Sequence, residues 1–135
     1  MRRFDAYESA LAVLSTADQQ DLSNEFIQGG IVDKFSLQFE LGWKTLKDLL
    51  RYEGDAVAAS GSPREVLKAA YRYFDFVDEE LWLAMLRDRN NIMHVYDANE
   101  MQRLLARILG DYIPGFERLA RSIRDRYGDE LAAIA

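Results

Sequence analysis

From Leu22 to Glu53 the chain holds no proline, and Ile31, Phe35, Phe39, Leu46, Leu49 and Leu50 recur at helical spacing. One helix over that whole stretch would set the fold class, because its apolar stripe must be covered along its length by other helices. Leu37, Leu41 and Trp43 add apolar surface off that stripe, so a second face is expected to be buried, against another subunit. Gly29-Gly30 is a candidate break, since each Gly in a helix costs about 1 kcal/mol relative to Ala. Gly54 is a suitable terminator.

The remaining segments read the same way. Phe4, Tyr7, Leu11 and Leu14 mark a first helix over Arg3–Ser15. Ser62-Pro63-Arg64-Glu65 combines a capping box with proline at the first helical position, and opens a short third helix ending near Phe74. Asp78 caps a fourth helix, with Val77 and Trp82 at hydrophobic-staple positions. Its stripe starts at Leu81 and Met85 and continues through Arg89, Ile92 and Tyr96, so an arginine lies on an apolar face. Asp97-Ala98-Asn99-Glu100 is a second capping box and opens a last long helix. Ile113-Pro114-Gly115 should kink or break that helix. Long helices with short connections make antiparallel neighbours. The expected fold is therefore all-α: an antiparallel four-helix up-down bundle with an extra short helix, in one domain over residues 1–135.

Composition narrows the chemistry. There is no Cys and one His among 135 residues, which removes thiolate metal sites, disulfides, a cysteine nucleophile and any multi-His metal site within one chain. No metal or other cofactor is expected. A net charge of −6 argues against broad non-specific nucleic-acid binding but allows a local basic patch. No apolar run approaches the roughly 20 residues that span a bilayer. The start MRRFDAYESALAVL places Asp5 and Glu8 inside its apolar stretch, so it is not read as a signal peptide, and a cytoplasmic protein is expected.

One stretch concentrates reactive side chains. Within MLRDRNNIMHVYD, residues 85–97, stand Arg89, Asn90, His94 and Tyr96. On an ideal helix Arg89 and His94 point about 140° apart, so they converge only if the helix ends between them or a second chain completes the site. Spacing alone leaves a plain reading open: Arg89 favouring the helix dipole, His94 on the surface, Tyr96 in the core. Glu40 and Lys44 fit a surface pair at i, i+4, or Glu40 neutralises Arg89 across the bundle. Asp88 either orients a neighbour or is solvated, and Arg103 with Arg107 fits a solvated basic rim.

Three blocks carry a resemblance: FSLQFELGWK at 35–44, SPREVL at 62–67, and Arg89-Asn90-x3-His94-x-Tyr96. In this order and spacing the chain resembles the HepT-like, nucleotidyltransferase substrate-binding family of the HEPN superfamily. The resemblance implies a four-helix bundle forming a homodimer, partnered by a small minimal nucleotidyltransferase encoded alongside. It also implies a two-gene toxin–antitoxin pair in which the nucleotidyltransferase transfers AMP to Tyr96. Arg89 and Asn90 would then hold substrate. An alternative implied by the superfamily is a metal-independent ribonuclease toxin acting on RNA, with Arg89 and His94 as catalytic residues across the dimer. A dimeric scaffold without activity is a third possibility.

Overall fold

Asn24, not Leu22, opens the long helix: its side chain accepts from the backbone N–H of Phe26 and Ile27. The computed structural model describes residues 1–95 and 97–134. Its α-helices are α1 (Arg2–Leu14), α2 (Glu25–Tyr52), α3 (Pro63–Tyr73), α4 (Glu79–Asn90), α5 (Ala98–Arg107) and α6 (Ile113–Tyr127). Four 3-10 turns connect or end these helices, and a π turn, Ile108–Tyr112, joins α5 to α6. No strand occurs among the described residues, so the all-α expectation holds. No helix among them is long and apolar enough to cross a membrane.

Most helix ends are where their caps put them. Ser62 and Glu65 form the reciprocal capping box of α3, and Asp78 and Asp97 accept from Leu81 N–H and Glu100 N–H. Gly54, at φ +85°, ends α2 in the left-handed region. Gly29-Gly30 does not break α2, which continues through both. Packing of the flanking turns outweighs the propensity cost of two glycines.

Paired contacts give the helix directions. Arg3 meets Asp48 and Tyr7 meets Gln38, so α1 runs antiparallel to α2. Glu8 meets Arg124 and Ser15 meets Glu117, so α1 also runs antiparallel to α6. Trp82 meets Phe116 and Asp88 meets Arg107, setting α4 against the α5–α6 arm. Aromatic rings tie these layers together. Phe35 stacks on Tyr112 at 5.3 Å, Trp82 meets Phe116 edge-on at 5.5 Å, and Phe39 lies against Trp82 at 5.9 Å. Phe35, Phe39 and Phe116 are fully buried, and burial of each contributes about 1.5–3 kcal/mol relative to exposure.

Two further expectations are corrected. Trp43 is buried within the chain, while Leu37 alone of the three off-stripe residues is exposed, by about half of its surface. The interruption of the last helix is a widened turn before Pro114, not a break at it. Pro114 cannot donate to the preceding turn, and its ring needs room there, which the π turn over Ile108–Tyr112 provides.

Candidate functional site

Helix α4 ends at Asn90. The N–H of its cap residue, Asn91, returns to the carbonyls of Arg87 and Asp88, and a 3-10 turn over Ile92–His94 follows. The helix thus ends between Arg89 and His94, one of the two conditions under which their spacing allows convergence. Tyr96 lies outside the described residues.

Arg89 is held from α2 by two consecutive residues. Its guanidinium carbon lies 5.4 Å from the ring centre of Phe39, and Nη1 donates to Glu40 Oε2 at 2.9 Å. Glu40 also lies 3.5 Å from Lys44 Nζ, so one carboxylate serves both cations. Both readings of Glu40 therefore hold together. Between these residues, Gly42 lets α2 approach α4. A Cβ there would fall 2.5 Å from the Trp82 ring, and Trp82 backs Phe39. The FELGWK block accordingly positions Arg89: Phe39 supports it, Glu40 pairs with it, and Gly42 permits the approach.

The arginine remains partly exposed and lines an open groove of about 820 Å³ with Asn90 and Asn91. Arg87 on α4 and Arg64 in the first turn of α3 line the same groove. The Nε of Arg89 is buried and has no hydrogen-bond partner among the described residues. A buried donor left open in this way is uncommon in folded proteins.

On the adjoining side of α4, Asp88 is buried and accepts from Arg107 through Nε at 2.8 Å and Nη2 at 3.1 Å. The Tyr112 hydroxyl donates to the same carboxylate at 2.5 Å. Burial, then the bond to Asp88, pushes the Tyr112 hydroxyl well above the ordinary tyrosine range. The bond to Asp88 likewise raises Arg107. Asp88 is thus an orienting group rather than a solvated one, and Arg107 is its partner rather than a solvated rim residue. Arg103 is exposed, as expected.

His94 is exposed and lines a second depression, of about 330 Å³, with Asp88, Asn91, Arg103 and Arg107. Within one chain, Arg89 and Asn90 open onto one groove and His94 onto its neighbour, with Asn91 common to both. The first offers guanidinium and amide donors suited to an anion. The second offers an imidazole, a group that can both take and give a proton. No group of three or more His, Asp or Glu able to hold a metal occurs among the described residues. Sequence reasoning missed Arg64 and Arg87 as groove residues. Arg64 was visible only as part of a helix start, and the proximity of α3 to the end of α4 carries no local signal.

No curated protein matches the chain in a sequence comparison. A family model does, over residues 2–125, which include α1 to α5 and nearly all of α6. The chain belongs to the nucleotidyltransferase substrate binding protein like family.

Proposed function

We propose that this chain is the substrate-binding partner of a minimal nucleotidyltransferase, the HepT-like component of a two-gene toxin–antitoxin pair, with Tyr96 as the acceptor of AMP. The observation that carries this reading is the fixed Arg89: supported by Phe39, paired with Glu40, and presented to an open groove beside Asn90 and Asn91. A guanidinium so held is pre-organised for phosphate. In the transfer, the Tyr96 oxygen bonds to the α-phosphorus of ATP, the bond to pyrophosphate breaks, and the phenolic proton passes to a base. A phenol of ordinary pKa near 10 is a weak nucleophile at neutral pH, so its activation falls to the nucleotidyltransferase. The chain acts in this reading as a homodimer, through the exposed face that includes Leu37.

The test is intact-mass measurement after incubation with the adjacent nucleotidyltransferase and ATP. Wild type is expected to gain the mass of one or more AMP groups, and Tyr96→Phe to gain none. No gain in wild type, or an equal gain in Tyr96→Phe, overturns the reading.

A second reading is metal-independent cleavage of RNA. It is favoured by the end of α4 at Asn90, which places His94 in the 3-10 turn beyond the helix. The 2′-oxygen of RNA would attack the adjacent phosphorus, expelling the 5′-oxygen. Two copies of His94 across a dimer would serve as base and acid, and Arg89 would stabilise the charge on phosphorus. His94→Ala is expected to abolish RNA degradation; an unchanged rate ends this reading.

A further inference from the structure

Arg64 and Arg87 have no function in the account so far, yet both line the groove of Arg89. They come from different elements, the first turn of α3 and the last turn of α4. Neither makes an ion pair within 4 Å among the described residues, where most other site cations do: Arg89 and Lys44 pair with Glu40, and Arg107 with Asp88. Arg87 also borders a depression lined by Asp78, Glu80 and Asp111, while three other nearby carboxylates have partners of their own. Glu65 turns back onto the Ser62 hydroxyl and N–H, Glu40 holds Arg89 and Lys44, and Asp88 faces Arg107 and Tyr112. Among the described residues, none that lines the groove is acidic.

Arg64 and Arg87 add two guanidiniums beside Arg89, whose charge Glu40 meets from outside the groove, in a protein whose net charge is −6. Such an arrangement attracts an anion. The α3 N-terminus adds the positive end of its dipole beside Arg64. The buried Nε of Arg89 adds a donor without an acceptor among the described residues. A single phosphate would leave most of the groove empty, since about 820 Å³ exceeds it several-fold.

We propose that Arg64 and Arg87 extend the Arg89 groove into a binding site for a ligand with two or more linked phosphates. This rests on reading the Arg89 groove as the substrate-binding site, and it names the substrate chemistry. Arg89 is the fixed end of the site, and Arg64 and Arg87 reach the outer phosphates through their planar forks. Linked phosphates occur in a nucleoside triphosphate and in a nucleic-acid strand, and both are negatively charged along their length.

The experiment is an equilibrium titration of the whole chain, without a nucleotidyltransferase, against three probes: inorganic tripolyphosphate, ATP, and a short single-stranded RNA. Wild type is compared with Arg64→Ala/Arg87→Ala and with Arg118→Ala/Arg121→Ala, which removes two exposed arginines of α6. At least one probe is expected to bind wild type, to weaken by about tenfold or more in the groove variant, and to keep its affinity in the α6 variant. Preference for ATP identifies a nucleotide site, and preference for RNA a strand site. For RNA, the groove variant should also show a salt dependence shallower by about 1 to 2 in log–log slope. Arg64→Lys/Arg87→Lys should recover only part of the affinity, because the charge returns without the fork. No binding of any probe, equal binding by the groove variant, or equal weakening by the α6 variant overturns the proposal. If AMP transfer to Tyr96 succeeds while these titrations fail, only this extension falls.

Discussion

Arg89 is where the chain departs most from simple patterning, and its neighbours explain how it is tolerated. An arginine on an apolar stripe needs an anion, and that requirement made Glu40 a candidate partner from sequence alone. Phe39 as the surface beneath the guanidinium carried no such signal. Glu40→Ala is expected to leave the fold intact and to cost about 1 kcal/mol, because the pair is partly solvated; urea unfolding measures this. Asp88 is a different case. Its partners lie far along the chain, at Arg107 and Tyr112, so the sequence left its role open. Asp88→Ala strands a buried hydroxyl and is expected to cost about 2–3 kcal/mol. Tyr112→Phe removes one bond and should cost about 1–1.5 kcal/mol. The pH dependence follows from the raised Tyr112 hydroxyl. Its folded pKa lies above the unfolded value of about 10, so the stability it contributes is complete below that pH and lost as pH rises beyond it. Urea midpoints of Tyr112→Phe should therefore fall less steeply than wild type in alkali. The fall should not vanish, because Tyr7 and Tyr127 are raised in the same way and keep their share.

The helices show which signals were readable. Caps and terminators were: Ser62, Asp78, Asp97 and Gly54 each stand where a helix begins or ends. The start of α2 was misplaced by three residues because apolar Leu22 extends the pattern past the real cap, Asn24. The π turn was not readable, because a single extra residue in one turn shifts the apolar period without marking itself. Its consequence is local. The turn ends at Tyr112, whose ring meets Phe35 and whose hydroxyl reaches Asp88, so Pro114 helps define the end of α4 from the opposite arm. Gly42 sets the approach of α2 to α4 by the absence of a side chain. Gly42→Ala is expected to cost about 1–3 kcal/mol through overpacking against Trp82, read as a lowered thermal midpoint. Because Trp82 supports Phe39, the same variant should also weaken the hold on Arg89.

Across the molecule, the residues matched by the family model, 2–125, include both blocks that the sequence singled out. The FELGWK block and the Arg89-Asn90 motif are far apart in sequence, and the fold joins them through Phe39 and Glu40. The all-α class was legible because every segment repeats at helical spacing. The site was legible in part: Arg89 and Asn90 share a groove, while His94 opens onto the adjoining one. A periodicity argument places residues on helix faces and says nothing of which cavity a helix end divides. Arg64 was illegible for the same reason, since only tertiary packing brings the start of α3 to the end of α4. The most direct measurement of the proposed function is the rate of AMP transfer by a minimal nucleotidyltransferase, as proposed, onto wild type and Arg89→Ala, with thermal midpoints recorded alongside. The account predicts a folded variant that accepts AMP at least about tenfold more slowly. A folded Arg89→Ala chain that accepts AMP at the wild-type rate would contradict it.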